Sequence, residues 1–226
     1  MKKKPQSEPK PATAAVREPS YHERVKGEKR RAAIDAAMEV FLEQGYERAS
    51  LQQIAGRASV STATLFKRFP TKAALFEAIV HDFWSEDAEI GRIPPVGDPK
   101  AGLRRIGMDF ATLVRLPRMV AFTRLLIAEA PRFPELTQVM LETGKIPYIL
   151  RVADYLKQER AAGRLKVEDP KRAARQFLAM IADQLFWPAL LTAGFKVSDR
   201  DAKLAVDEAL QTLLARHAAP ARKAKA

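Results

Sequence analysis

Apolar residues recur at spacings of three and four through most of this chain, and no stretch alternates strongly enough to predict a strand, so the pattern reads as helices punctuated by glycine and proline. Ile34, Ala37, Met38 and Phe41 line one face of a helix over about Glu28–Gln44, closed by Gly45. Leu51, Ile54, Ala55 and Ala58 mark a short second helix; Ser50 caps it, and Gln53 completes the capping box. In the turn Ser59-Val60-Ser61, Val60 is an apolar plug and Ser61 caps a third helix, Thr62–Phe69, anchored by Leu65 and Phe69. Thr71 opens a longer fourth helix whose stripe runs through Leu75, Phe76, Ile79, Val80 and Phe83 to Trp84.

The acidic run Glu86, Asp87, Glu89 reads as the solvated end of that helix, and Gly91–Pro99 as a linker. Asp98-Pro99 opens a helix with Leu103, Ile106, Phe110, Leu113 and Val114 inward, and Pro117 ends it. A helix through Met119, Phe122, Leu125 and Leu126 follows, then a turn at 130–134. From Leu136 to Leu156 the helical pattern is interrupted by Gly144 and Pro147, which predict a break or kink. Asp169-Pro170 caps a helix of about Lys171–Ala193. Between Phe177 and Leu191 it is apolar on every side except Asp183 and Gln184, which calls for burial on both faces. Ser198 and Asp201 open a last amphipathic helix through Leu204, Leu210, Leu213 and Leu214. Surplus apolar surface on these two helices predicts a homodimer through a four-helix interface.

Charge singles out one stretch of the chain. The 226 residues carry 39 Lys and Arg against 27 Asp and Glu, a net charge of +12 and a pI near 10.0, which favours a nucleic acid or anionic surface as partner. Between Arg48 and Phe76 there is no carboxylate, while Arg48, Arg57, Lys67, Arg68 and Lys72 lie inside. The third helix is small-sided at its start (Thr62, Ala63, Thr64) and basic at its end (Lys67, Arg68), with Phe66 outside. That suits a helix entering a major groove, small or polar groups toward base edges and cations toward phosphate. Gln52 stands on the outer face of the second helix, and Arg30 and Arg31 near the start of the first, within reach of a duplex backbone.

Residues 31–76 resemble the N-terminal domain of TetR-family (tetracycline-repressor-like) bacterial regulators. The resemblance rests on Arg31-x-x-Ile34-x-x-Ala37-x-x-x-Phe41 with Gly45-Tyr46, on Ser50-x-x-x-Ile54-Ala55-x-x-Ala58, and on Val60-Ser61-x-x-Thr64-Leu65-Phe66-x-x-Phe69-x-x-Lys72-x-x-Leu75-Phe76. It implies DNA contacts by Ser50, Thr62, Thr64, Lys67 and Lys72. Together with the residues read from the pattern, the DNA-facing set is Arg31, Ser50, Gln52, Ser61, Thr62, Ala63, Thr64, Phe66, Lys67, Arg68 and Lys72. Three positions depart from the family pattern. Ser59 and Ala63 replace frequent glycines, Ser59 at a cost of about 1 kcal/mol if the turn is left-handed. Phe66 replaces a common tyrosine and lacks its phosphate-donating hydroxyl.

The segments Arg124–Pro134 and Asp169-Pro170-x-x-Ala173-Ala174-x-x-Phe177 are similar to the AefR-like C-terminal domains of the same family, implying an effector-binding domain. Phe110, Met119, Phe122, Met140, Tyr148, Phe177, Met180 and Trp187 are candidates for an apolar pocket or for plain core. Asp183 and Gln184 either hydrogen-bond across the dimer or orient a polar group of a ligand.

The expected architecture is all-α: a disordered basic arm (1–26), a helix-turn-helix domain (27–87), a helical effector-binding and dimerisation domain (88–217) joined through the long fourth helix, and a basic tail (218–226). The arm reads either as a minor-groove contact or as a solubilising tail. Zero cysteines exclude disulfides and thiolate metal sites, and His22, His81 and His217 form no ligand-spaced pair, so no metal or cofactor is expected. No signal peptide or membrane span is legible, which predicts a cytoplasmic location. No nucleophile or phosphate-binding motif argues for catalysis. The expectation is a ligand-responsive regulator, a repressor, that binds a palindromic operator as a homodimer and is released by a small apolar or amphipathic effector. The alternative is a helical interaction module with secondary DNA binding.

Overall fold

The computed structural model describes residues 21–85 and 92–219, with side chains from Arg24 onward. The expected arm up to residue 20, the acidic run Glu86, Asp87, Glu89 and the domain boundary beside it, and the tail from 220 lie outside the described residues. Among those described, all regular structure is helical apart from one isolated antiparallel bridge, Leu165 to Ala218. That bridge, with Lys166 N–H donating to the His217 carbonyl at 2.7 Å, holds Ala218 and Ala219, which were expected in the unstructured tail.

The first helix, α1 (Tyr21–Gln44), starts seven residues before the expected Glu28, so residues 21–26 are helical rather than part of the arm. Val25, Lys29 and Ala33, at i, i+4 and i+8, line one cleft against the third helix, and Arg68 donates to the Lys26 carbonyl at 2.8 Å. α2 (Leu51–Arg57), α3 (Thr62–Arg68) and α4 (Lys72–Trp84) follow as the spacing predicts. Ile34, Ala37, Met38, Phe41, Ile54, Leu65, Leu75 and Phe76 close their shared core.

The second half contains α5 (Pro99–Arg115), α6 (Pro117–Glu129), α7 (Pro134–Val139), α8 (Ile146–Ala161), α9 (Pro170–Leu191) and α10 (Asp199–His217). α9 packs against α5, α8 and α10. The expected break at Gly144 and Pro147 takes the form of a π-helical turn, Met140–Lys145, that carries α7 into α8. Pro147 has no N–H to close an α-helical bond to residue 143, and the wider register absorbs the loss. Gly144 also brings this turn against α4: a Cβ there would lie 2.6 Å from Trp84 Cδ1 and 2.9 Å from Val80 Cγ1.

α9 divides into an inner and an outer face. Phe177, Leu178, Ile181 and Leu185 are buried, but Asp183 and Gln184 lie on an outward face with Trp187, 50% exposed, and Leu191, 78% exposed. The apolar circumference is therefore covered on one side only within a single chain.

The two halves meet at a second place besides α4. Glu129, at the end of α6, accepts the Tyr46 N–H at 2.9 Å; Arg132 pairs with Glu47 and Arg118 with Asp35, each at 2.7 Å. The buried Tyr46 ring sits between Phe41, Phe76 and Phe133, with centroids 5.1–6.0 Å away. No helix of the described residues is long and apolar enough to cross a membrane.

Candidate nucleic-acid interface and ligand cavity

Three hydroxyl caps build the reading unit. Ser50 Oγ accepts the Gln53 N–H at 3.2 Å while Gln53 Oε1 accepts the Ser50 N–H at 2.9 Å, a complete capping box. Ser61 Oγ accepts the Thr64 N–H at 3.2 Å and lies 2.7 Å from Thr64 Oγ1; Thr71 Oγ1 accepts the Ala74 N–H at 3.1 Å. Between the helices Val60 N–H donates to Ala55 O and Ser59 N–H to Gly56 O, a Schellman ending whose left-handed residue is Ser59 at φ +54°. Ser59 is the one non-glycine residue with positive φ among those described. The strain that its replacement of glycine implied is therefore present, and the turn still forms.

On the outer surface of α3, Thr62, Ala63, Thr64, Phe66 and Lys67 are exposed, as are Ser61, Gln52 and Arg31 on their own elements; Ser50 and Arg68 are half-buried. The five cations of the carboxylate-free window separate sharply. Arg57 is gripped by Glu43 at 2.7 Å and Glu39 at 3.2 Å, so carboxylates from α1 neutralise it. Arg48 caps the Gln44 carbonyl and Arg68 the Lys26 carbonyl.

Lys72, the last cation of the window, is held against the loop after α1. Its Nζ donates to the Tyr46 and Glu47 carbonyls, both at 2.8 Å, and lies 4.9 Å over the Tyr46 ring. Burial pulls its pKa down against the opposing charges of Glu129 and Glu47. Lys72 thus ties α4 to the loop after α1. Lys67 keeps a free ammonium among the described residues. The sequence reading missed Lys26 and Lys29, which the early start of α1 brings to a cleft of about 510 Å³ with Thr64, Lys67 and Arg68. The pattern Ser20-x-x-Glu23, an N-cap signature ahead of Val25, was the available signal.

A larger cavity, about 960 Å³, lies in the second half. Trp84, Phe110, Tyr148, Ile149 and Leu178 form its inner wall, and Lys145, Arg175, Met180, Asp183, Gln184, Trp187 and Glu208 its open side. Phe110 stacks on Tyr148 at 5.8 Å and 18°, and Trp84 tilts against Tyr148 at 5.5 Å. Burial, with Asp109 nearby, pushes the Tyr148 phenol well above the usual tyrosine range and keeps it neutral. Trp84 Nε1 is buried without a hydrogen-bond partner.

Of the residues expected around a pocket, Phe110, Tyr148, Met180, Asp183 and Trp187 are brought together here. Met119, Phe122, Met140 and Phe177 are not. Phe122 tilts against Phe76 with ring centroids 4.6 Å apart; Phe177 is drawn inward by Gly107, whose absent Cβ would lie 3.1 Å from its Cζ; Met119 and Met140 are buried in the main core. Trp84 and Glu208 were missed because they come from helices far from α9 in sequence, and Arg175, on α9 itself, because the wall was expected to be apolar.

A capped pair of short helices joined by a tight turn, presenting an exposed basic third helix beneath a helical domain, defines a helix-turn-helix regulator. The chain belongs to the TetR family: residues 33–79 match the model for bacterial regulatory proteins of the tetR family, and residues 101–219 match that for the AefR-like transcriptional repressor C-terminal domain. Proteins of this family are transcriptional regulators, not enzymes, and typically repressors. The flavonoid-responsive regulator FrrA is 32% identical, with a TM-score of 0.67 over 87% of this chain and all of that one. A TetR-family regulator from Mesorhizobium loti MAFF303099 shares the fold at a TM-score of 0.73 and 23% identity, over 85% of this chain and 98% of its own. The A-factor receptor protein of Streptomyces griseus is 36% identical over 98 residues, 43% of this chain but only 34% of that protein's length.

Proposed function

We propose that this chain is a ligand-responsive repressor that binds a two-fold operator as a homodimer, with α3 of each protomer in a major groove and a flat aromatic effector in the 960 Å³ cavity. The observation that carries the reading is the place of Trp84. It is at once the last residue of α4, whose other end carries Lys72 beneath the reading unit, and part of the aromatic cavity wall.

An effector stacked between the indole and the Phe110–Tyr148 pair touches the connecting helix directly. Arg151 donates to the Trp84 carbonyl at 2.8 Å, fastening that helix end to α8. Displacing Trp84 works against two anchors, Arg151 at one end of α4 and the Glu129–Tyr46 contact near the other, so α4 tilts and the two recognition helices change their separation. Coupling requires that the effector bind the released form more tightly than the DNA-bound form. The aromatic wall, and the likeness to a regulator named as flavonoid-responsive, support a planar polycyclic effector.

The test is operator release. Full-length protein bound to DNA from the region of its own gene is titrated with a flavonoid panel while indole fluorescence is recorded. Quenching that accompanies release, both lost in Phe110→Ala, is the expected result. Release with no change in indole emission, or none with any flat aromatic compound, contradicts it.

A further inference from the structure

The 960 Å³ cavity does not end at its mouth. A second hollow of about 460 Å³ adjoins it between α8 and α9, and Ile146, Ile149 and Arg175 belong to the walls of both. The exposed side chains of Ile146 and Leu150 give this hollow an apolar floor, and Lys171, Arg172 and Arg175 stand along it on α9.

Charge is sorted across the two hollows. Asp183 and Glu208 edge the first and are absent from the second. Arg175, shared by both, precedes Asp183 by eight residues, about 12 Å along α9. The one carboxylate of the second hollow, Asp169, is already committed: it caps α9 by accepting the Arg172 N–H at 3.0 Å and faces the Arg172 guanidinium at 3.5 Å. Lys145, Lys171 and Arg175 make no ion pair or hydrogen bond among the described residues. Arg104 and Arg118, by contrast, each grip a carboxylate at 2.7–2.8 Å.

Uncommitted cations at one end of an aromatic wall, with carboxylates at the other, select both a ligand charge and a ligand direction. We infer that the effector is an aromatic acid. Its flat body lies against Trp84, Phe110 and Tyr148, and its carboxylate reaches the second hollow, where Arg175 and Lys171 hold it. An acid turned the other way meets Asp183 and Glu208. This rests on the aromatic-cavity reading above and adds the charge and the orientation of the ligand.

The test compares ligands of one shape that differ in charge. Flavones carrying a carboxylate at one end or the other of the ring system, and the matching carboxamides, are titrated calorimetrically into the full chain at low and high salt. Both tryptophans of the chain, Trp84 and Trp187, line the cavity, so a change in indole emission places each ligand there. At one of the two ends the carboxylate is expected to bind on the order of tenfold tighter than its amide, an advantage that shrinks as salt rises. In the Lys171→Gln, Arg175→Gln double variant, whose folding thermal melts check, the ratio of the two affinities is expected to fall to about one. A carboxylate no tighter than its amide at either end, or an advantage that survives both substitutions, overturns the inference and leaves the aromatic cavity standing. If no member of the set binds with a change in indole emission, the cavity reading falls with it.

Discussion

The DNA-facing unit and the cavity are built on opposite plans. Between Ser50 and Phe69 each critical geometry is set by a partner three to five residues away: Ser50 with Gln53, Ser61 with Thr64, Val60 with Ala55. The cavity draws its wall from α4, α5, the π-helical turn, α8, α9 and α10, so Trp84 and Glu208 meet only because the whole half has folded. Local bonding gives a rigid part that can be moved as a body. Assembly from distant elements gives a part whose shape responds to what fills it.

The largest effect separating the two plans is expected at Glu159, fully buried at the end of α8, where it accepts the Gly97 N–H at 2.9 Å and pairs with Arg164. Burial pushes its pKa up, but Arg164, the Gly97 N–H and the Tyr155 hydroxyl outweigh that and hold it below the ordinary 4.5. Glu159→Ala is expected to destabilise the chain by about 3 kcal/mol in thermal or urea melts. Because the folded carboxyl titrates below the unfolded one, its stabilisation is complete above 4.5 and is lost as pH falls through the lowered value. The gap between wild type and Glu159→Gln is therefore widest near neutral pH and shrinks in acid; a gap that grows in acid contradicts the assignment.

Next comes Gly144→Ala. The added Cβ meets the Trp84 ring and Val80, so α4 or the π-helical turn must shift, at about 2 kcal/mol. The Tm should fall, and the effector concentration needed for operator release should change, while the α2–α3 unit keeps its fold; an unchanged release curve would remove Gly144 from the coupling route. Ser61→Ala is smaller, about 1 kcal/mol by loss of the α3 cap, yet it should weaken operator binding more than any cavity substitution of equal stability cost. The smallest, Ser59→Gly, should raise stability by about 1 kcal/mol through relief of the left-handed residue and leave operator affinity unchanged.

What the sequence made legible follows the same division. Caps, the turn and the inward stripe of α1 to α4 could be read because residues in sequence contact carry them. That Lys72 ties α4 to the loop after α1 was not legible, because it depends on the Tyr46 and Glu47 carbonyls lying within reach, a tertiary fact. Arg57 stood in a carboxylate-free window along the chain, but α1 brings Glu39 and Glu43 across to it. In the second half, bulky side chains alone could not separate wall from core. Phe110 and Phe177 are equally apolar, and the difference is that Gly107 leaves room for Phe177 to sink between α5 and α9. The outward position of Asp183 was likewise hidden, since a helix apolar on most sides does not reveal which side a single chain leaves uncovered.

The central claim is that the exposed surface of α3 reads an operator, and its most direct test is a salt series of operator binding by full-length wild type, Thr64→Ala and Lys67→Ala. Site-limited binding is expected, with a log-log slope of about −0.9 per phosphate neutralised. Lys67→Ala should lower that slope by about one for each protomer bound, and Thr64→Ala should reduce discrimination between operator and random DNA at unchanged slope. Binding that is blind to sequence and indifferent to both substitutions would contradict it.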